Sequence, residues 1–234
     1  FERGINYFYW GSLRRSAFGK GLRAVAKHNR EKMIVVVQSY NRVASLIGPS
    51  LDLALRRLSF EYADFLLLGW WNQDPPRRIL DAALDLKRKG KVRHLMISCH
   101  NRHAFKGFVE SGNYDAIMVR YNAAHPGAEN DVFPFLSPRK VGVASYTATR
   151  WGHLIDPDRF PKDEKCPTAA DCYRFVLSNP HVDVCMTGPQ NGEQLDHALT
   201  ALDRGPMHED ELVWMRRMGG FVKGDFSVFG GGSQ

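Results

Sequence analysis

Short apolar segments alternate with amphipathic ones along the whole chain, and this alternation restricts the fold more than any other feature. Several of the apolar segments are near-continuous runs, which is typical of strands buried on both faces. They predict strands at residues 5–10, 33–40, 63–71, 92–99, 114–122, 141–147 and 182–188. Helical spacing of apolar residues predicts helices at 16–29, 48–59, 76–89, 103–111, 167–178, 191–203 and 208–222. Strands separated by helices pair in parallel through right-handed crossovers.

Seven strand and helix units in one chain favour an α/β fold of the (β/α)8 or TIM barrel type over a doubly wound sheet. Two helix boundaries carry local signals. Thr168 with Asp171 three residues later predicts a helix start, and Gly90 after a basic run predicts a helix end. A complete barrel has eight strands. Because the chain begins at Phe1 rather than at a methionine, we expect the first strand to precede it.

No linker-like segment divides the predicted units, so we expect a single barrel domain over residues 1–224. The Pro and Gly residues at 125–130 predict a loop within this domain. Residues 225–234, which are rich in Gly and Ser, are expected to form a flexible tail without a functional role. The sequence contains neither an apolar run of about 18 residues nor a signal-peptide pattern. It therefore predicts a cytoplasmic protein without a membrane partner.

The net charge of +7 makes nucleic acid a partner to consider. However, the basic residues are spread along the chain, and several of them occur as pairs near predicted helices. The one dense cluster, Lys87 to His94, lies where a helix ends and where cations interact favourably with the helix dipole. We therefore expect a solvated basic surface, no nucleic-acid partner and a small molecule as the ligand.

The cysteines and histidines do not form a metal-binding pattern. The four cysteines contain no C-x-x-C pair, and Cys166 and Cys172 are spaced as in neither a zinc site nor a redox motif. His100 and His125 have no carboxylate or thiol partner at ligand spacing. The sequence predicts buried free thiols and no metal site.

Several segments resemble the aldo-keto reductase superfamily, in order and over nearly the whole chain. "RGINYFYWGS" is similar to the second barrel strand of that family, and "LRRLSFEYADFLLLGWW" to the helix that leads into its fourth strand. "KGKVRHLMISCHN" is similar to its Gly-Lys-Val-Arg segment, and "KVGVASYTATRWGHL" to its seventh strand. "CPTAADCYRFVLSNPHVDVCMTGPQNGEQLDHALTAL" is similar to its closing helix, eighth strand and phosphate-binding segment. The resemblance implies a barrel that binds NADP(H).

The resemblance does not extend to the family's catalytic tetrad. In the family a Tyr donates a proton to a carbonyl oxygen while hydride arrives from nicotinamide. A Lys and an Asp adjust the pKa of the Tyr, and a His orients the substrate. An unperturbed phenol, with a pKa of about 10, is a poor acid without a neighbouring cation. The Asp, Tyr, Lys and His positions fall here on Tyr9, Arg14, Gln38 and Gly69. Ordinary carbonyl reduction therefore cannot be carried over.

Part of the family's cofactor site is retained. Tyr146 matches the aromatic residue that stacks on nicotinamide, and Ser98 matches a group that bonds its carboxamide. Backbone donors at the start of the helix after residue 190 suit a phosphate, although Gln194 stands where the family often has Arg. The expected cofactor-binding residues are Ser98, Tyr146, Thr147, Arg150, Gly188, Gln190, Asn191 and Gln194.

Aromatic residues are concentrated at the predicted carboxyl ends of the strands, which form the functional face of a parallel barrel. A pocket of this kind suits a flat or apolar ligand with a few polar anchors. The expected pocket residues are Trp10, Tyr40, Trp70, Trp71, Tyr121 and Trp151. For Trp70 and Trp71, packing against loops is the alternative to ligand binding.

Three residues are candidates for the missing acid. Histidine is the natural acid–base group near neutral pH, which points to His100 and His125. Tyr9 is either a replacement proton donor or a residue that fills the space of the family's Asp, and the lack of a nearby Lys favours the second role.

Three functions remain open from the sequence. The first is a divergent oxidoreductase that binds a nicotinamide cofactor. The second is a non-redox enzyme, such as a lyase or isomerase, that uses His100, His125 and Arg150. The third is a binding or scaffold protein without catalysis. The chemistry of the family favours the first. The sequence does not indicate the substrate or the oligomeric state.

Overall fold

The computed structural model describes residues 1–136 and 141–223. The strands are β1 (Tyr7–Trp10), β2 (Ile34–Ser39), β3 (Ala63–Leu68), β4 (Val92–Ser98), β5 (Ala116–Arg120), β6 (Gly142–Tyr146) and β7 (Val184–Cys185). The α-helices are α1 (Ser16–Asn29), α2 (Ala44–Leu58), α3 (Arg77–Arg88), α4 (Ala104–Ser111), α5 (Ala128–Asp131), α6 (Ala169–Leu177), α7 (Gly192–Arg204) and α8 (Glu209–Val222).

All seven predicted strands are confirmed, and they follow one another in chain order across a sheet. The pairings described are parallel, as the alternation with helices predicts. The predicted α/β class is therefore confirmed. By its contacts the chain divides into two compact units, and the predicted tail, residues 225–234, lies outside the described residues.

The first unit comprises Phe1–Met118 and Phe135–Val141. Val36 and Leu66 are fully buried, as expected for strands covered on both faces. Burial of each such side chain contributes about 1.5–3 kcal/mol. In the sheet Ser39 pairs with Leu68, and Leu68 pairs with Ile97. The carboxyl ends of β2, β3 and β4 therefore lie at one level, and the residues that follow them share one edge.

The second unit comprises Val119–Pro134 and Gly142–Gln234. The predicted start of α6 is confirmed by a capping box, in which Thr168 accepts from the backbone N–H of Asp171 and the Asp171 carboxylate accepts from that of Thr168. Two ion pairs fix α6: Arg174 contacts Glu211 at 2.5 Å, and Arg204 contacts Asp171 at 2.7 Å. These contacts join α6 to α7 and α8.

Two local predictions were wrong. The predicted helix at 48–59 begins earlier, at Ala44, so that Pro49 lies inside it rather than in its first turn. The additional residues bury Ile47 completely, and this burial outweighs the poor fit of proline in a helix. Residues 125–130, predicted as a loop because of their Pro and Gly, contain the first part of the short helix α5.

Candidate functional site

Side chains from four strand ends of the first unit pack together in what we call the strand-end cluster: Tyr9, Gln38, Tyr40, Trp70 and His100. Gln38 and Tyr40 are two residues apart in extended chain and therefore point to the same side. The hydroxyl of Tyr9 donates to Oε1 of Gln38. Gly69 follows β3 and lies beside Gln38 and Tyr40. Tyr9, Gln38 and Gly69, to which the resemblance assigns the Asp, Lys and His of the tetrad, are thus close together.

The space above Gly69 is filled by its neighbours. A Cβ atom on Gly69 would lie 2.3 Å from Nε2 of Gln38 and 2.7 Å from the ring of Tyr40. Real Cβ atoms essentially never make contacts under 3.0 Å, so a side chain at this position would require Gln38 and Tyr40 to shift. Gln38 and Tyr40 therefore occupy the space beside Gly69.

The environment of Tyr9 makes it a poor acid. Burial raises the pKa of Tyr9 well above its usual value, and the Tyr40 phenol raises it further. The cation of Arg15 lowers the pKa of Tyr9, but this effect is smaller. A phenol without a dominant cationic neighbour holds its proton at neutral pH and transfers it slowly.

Trp70 is exposed and is held in a fixed position. Its φ angle is +59°, its backbone N–H donates to Oγ of Ser98 at 3.1 Å, and its carbonyl accepts from Arg42 at 2.6 Å. The indole is 58% exposed, and Tyr40 and His100 contact it edge-on, with ring centroids at 5.6 and 5.3 Å. Trp70 therefore presents a rigid aromatic surface. Arg42 could not be predicted as part of this site, because its partners here are backbone carbonyls, which no sequence pattern reveals.

Trp10 and Trp71, both expected in the pocket, are buried. The indole Nε1 of Trp10 donates to the carbonyl of Arg15 at 3.2 Å, and the ring packs on Gly19 of α1. The ring of Trp71 lies 4.0 Å below the guanidinium of Arg42. For Trp71, this burial favours packing over ligand binding. Trp10 lies on the face of β1 that contacts α1.

His100 and Cys99 follow β4 in a turn that Asn72 stabilises. The backbone N–H of His100 donates to Oδ1 of Asn72 at 3.0 Å. The thiol of Cys99 donates to the carbonyl of Asn101 at 2.9 Å, and burial raises the pKa of this thiol to about 11. The imidazole of His100 is exposed beside Trp70, whereas Cys99 is an inert buried thiol.

In the second unit, a fully buried amide joins two strand ends. Nδ2 of Asn122 donates to the carbonyl of Thr147 at 2.8 Å. Oδ1 of the same amide accepts from the backbone N–H of His125 at 2.9 Å and lies 3.3 Å from Nδ1 of its ring. The bond from Asn122 to Thr147 spans 25 positions that no sequence pattern connects, so this link could not be predicted.

Residues 147–151, which we call the β6 turn, have a strained backbone. Thr147, Arg150 and Trp151 have φ angles of +60°, +50° and +54°. Within the described ranges, four of the five non-glycine residues with positive φ follow β3 or β6, and the fifth, Ser59, ends α2. Such angles are costly for bulky or β-branched residues, and they concentrate at ligand sites. In this turn Arg150 is fully buried, whereas Trp151 is 56% exposed.

Tyr146 ends β6 and is half-buried, directly before the β6 turn. Tyr121, in contrast, belongs to the core. It is 2% exposed, its hydroxyl donates to Glu129 at 2.6 Å, and its ring stacks on Phe175. Of these two aromatic residues, Tyr146 is the one that is partly exposed.

The segment predicted to bind phosphate is exposed and capped by its own side chains. Oδ1 of Asn191 accepts from the backbone N–H of Gln194 at 2.8 Å, and Oε1 of Gln194 accepts from that of Gln190 at 2.9 Å. Gly188 is also exposed. Residues 182–203 contain no Lys or Arg. Two backbone N–H groups at the start of α7 thus already have side-chain acceptors, and the segment supplies no cation of its own.

The described residues, 1–136 and 141–223, contain no group of three or more His, Cys, Asp or Glu that could hold a metal ion. No helix in this part of the chain is long and apolar enough to cross a membrane.

Comparison with known proteins identifies the fold. No protein-family model matches the sequence. An aldo-keto reductase from Bacillus halodurans in its holo form has a TM-score of 0.77 at 20% identity, over 93% of this chain and 83% of that chain. An aldo-keto reductase from Klebsiella pneumoniae in complex with NADPH has a TM-score of 0.74 at 19% identity, over 93% and 81%. The chain has the fold of the aldo-keto reductases, as the sequence resemblance predicted.

Proposed function

We propose that this chain with the aldo-keto reductase fold is a nicotinamide-dependent oxidoreductase in which His125 replaces the usual tyrosine as the acid–base group. The cofactor, NAD(H) or NADP(H), would supply the hydride. The observation that carries the proposal is the position of Asn122, which bonds both His125 and the backbone of Thr147. One buried amide thus links the acid–base candidate to the turn after Tyr146.

Asn122 also favours one tautomer of the His125 imidazole. The amide oxygen can only accept, so the contact of 3.3 Å with Nδ1 is a hydrogen bond when Nδ1 carries the proton. Nε2 is then the ring nitrogen that takes up or releases a proton. An acid–base group held by a second polar residue is the usual arrangement in enzymes that transfer protons.

The strained β6 turn supports a ligand at this strand end. Strain of this kind persists only where the surroundings hold it, and it is common in ligand clamps. Here Asn122 holds the carbonyl of Thr147, and the backbone N–H of Arg150 donates to the same carbonyl at 2.8 Å. Tyr146 is thereby presented for stacking on a planar ring such as nicotinamide.

The residues present fit the nicotinamide half of the cofactor better than an adenosine 2′-phosphate. The start of α7 has backbone donors, but residues 182–203 lack a cation, and Arg150 is fully buried. A 2′-phosphate would gain little charge compensation there. We therefore expect NADH and NADPH to bind with affinities that differ by less than about tenfold, or 1.4 kcal/mol.

Titration of the protein with NADH and NADPH, followed by tryptophan fluorescence, tests this function. A saturable signal is expected with both, and Tyr146→Ala should weaken it at least tenfold. Tyr40→Ala, an exposed aromatic residue of the other unit, is the matched control and should bind as the native protein does. No saturation with either cofactor, or an unchanged affinity in Tyr146→Ala, would refute the proposal.

A second candidate function, ligand binding without catalysis, is favoured by one observation. The space above Gly69 is filled by Gln38 and Tyr40, while Trp70 remains exposed and rigid beside them. A protein that had lost catalysis would show this pattern. The two functions are separated by the cofactor titration, because only the oxidoreductase requires a nicotinamide site at Tyr146.

A further inference from the structure

The first unit contains a groove at the amino-terminal ends of β2 and β3. Its walls are the last turns of α1 and the residues 58–62 that join α2 to β3. Its volume is about 370 Å³, within the range of about 300–1,000 Å³ that is usual for small-molecule sites. We call it the entry groove. It uses none of the residues proposed above for the oxidoreductase.

The charged side chains at its inner wall are already fixed by internal partners. The guanidinium of Arg30 pairs with Asp64 at 2.9 Å and donates to the carbonyl of Tyr62 at 2.9 Å. The carboxylate of Glu31 pairs with Arg93 at 3.2 Å and accepts from the hydroxyl of Tyr62 at 3.1 Å. This wall is therefore preorganised, and its charges are compensated.

Two cations on the α1 side are not compensated in this way. Arg23 donates to the carbonyl of Arg57 at 2.5 Å, which is a neutral acceptor, so its positive charge is not cancelled. Lys27, four residues later on the same helix face, has no anionic partner among residues 1–136 and 141–223. Like charges at this spacing on a helix repel each other. An anion between them would remove the repulsion.

The remaining wall is apolar. Phe60 is half-buried, and its ring lies 4.9 Å from the guanidinium carbon of Arg30. Leu58 and Ala26 also line the groove. Phe60 is brought into this position by Ser59, whose φ angle of +57° ends α2 in a left-handed turn. A serine in this conformation is strained relative to glycine.

We infer that the entry groove binds a small organic anion, whose phosphate or carboxylate pairs with Lys27 and Arg23 and whose ring packs on Phe60. Cations, an aromatic surface and a preorganised inner wall within one small cavity give a ligand both charge compensation and apolar burial. Among the described residues, Glu61 is the one carboxylate lining the groove that has no ion pair. It cannot balance both Arg23 and Lys27, so the groove keeps an excess of positive charge.

Isothermal titration of the native protein with phenyl phosphate and, separately, with phenylacetate tests the inference. At least one anion should bind at a single saturable site, and the affinity should fall as salt is added, because the partner charges are exposed. Benzyl alcohol, which has the ring without the charge, should not saturate. Lys27→Ala should weaken the binding at least fivefold, and Lys27→Glu should abolish it.

Two control variants locate the bound anion. Lys20→Ala removes another exposed cation of α1, outside the groove, and should leave the affinity unchanged. Tyr146→Ala should also leave it unchanged, so the outcome is independent of the nicotinamide site. The inference is overturned if neither anion saturates, if Lys27→Ala binds as tightly as Lys20→Ala, or if Tyr146→Ala weakens the binding.

Discussion

The strand ends of the two units carry similar residues but use them differently. In the first unit, Tyr9, Gln38 and Tyr40 pack on one another and fill the space above Gly69. In the second unit, a buried amide holds a histidine and a strained turn in place. The first arrangement satisfies its polar groups and removes space. The second keeps residues in costly conformations, which only the surrounding contacts maintain.

This difference indicates where function has been kept. Hydrogen bonds between the members of a polar cluster stabilise the protein, so the cluster is stable without a ligand. Positive φ angles at Thr147, Arg150 and Trp151 give no such gain. The first unit also has one strand-end residue with a positive φ, Trp70, so the two units differ in number: one such residue follows β3, and three follow β6. Because strain of this kind is common at ligand sites, we expect the chemistry at the second unit.

The largest expected effect is the loss of activity on replacing the proposed acid–base group. Once a carbonyl substrate is found by NADH or NADPH oxidation, His125→Gln should lower kcat by about 10²- to 10⁴-fold, because a positioned acid contributes a factor of this size. If His125 is the acid–base group, the native pH profile should contain a titrating group that the variant lacks. His28→Gln, exposed on α1, is the matched control and should keep full activity.

A retained kcat in His125→Gln would place the acid elsewhere, and His100 would then be the next candidate in the same assay. Asn122→Ala gives a further distinction. A positioning role for Asn122 predicts a lower kcat with a shifted pH profile, whereas a merely structural role predicts lower stability with an unchanged profile.

The framework of both units could be predicted because its signals are local. The bounds of α1, residues 16–29, and the capping box at Thr168 follow from neighbouring residues alone. The burial of Trp10 was also within reach, since alternation along β1 puts Trp10 and Tyr9 on opposite faces. One of these faces packs on α1, which removes Trp10 from any pocket.

The contacts that distinguish the two regions could not be predicted, because they join distant residues. The hydroxyl of Tyr9 meets Gln38 across 29 positions, and Asn122 meets Thr147 across 25. Neither pair has a periodic or spaced signature in the sequence. Similarly, no pattern predicts a positive φ at Thr147, because a β-branched residue rarely adopts that angle. The roles of the predicted site residues stay predictions.

The filled space in the first unit predicts a loss of stability for Gly69→Ala. The new methyl group would meet Gln38 and Tyr40, and overpacking of this kind costs about 2 kcal/mol. Urea unfolding monitored by circular dichroism measures the change. Gly21→Ala is the control: it has no atom within 4 Å of the new Cβ and should raise stability by about 0.5–1 kcal/mol. Equal stability of Gly69→Ala and the native protein would show that the space is open in solution.

A smaller effect is expected for Tyr9→Phe, which removes one hydroxyl from the strand-end cluster. Oε1 of Gln38 loses its donor, so the free energy of unfolding should fall by about 1 kcal/mol. The kcat of the oxidoreductase should stay within twofold, because the pKa of Tyr9 is raised by burial and the residue is not the acid. A loss of activity greater than tenfold without a matching loss of stability would assign the proton to Tyr9 after all.

The smallest effect should come from relieving the strain in the second unit. Thr147→Gly removes a β-branched residue from the left-handed region, which should raise the free energy of unfolding by about 1–2 kcal/mol. The entropy of glycine in the unfolded chain offsets most of this gain, so the net increase should be about 0.5 kcal/mol. The same change frees the turn after Tyr146, so nicotinamide affinity should fall severalfold. Ser59→Gly is the matched control, since its φ of +57° lies at the end of α2. It should gain similar stability and bind the cofactor unchanged. If both variants kept full affinity, the strain at the β6 turn would have no role in binding.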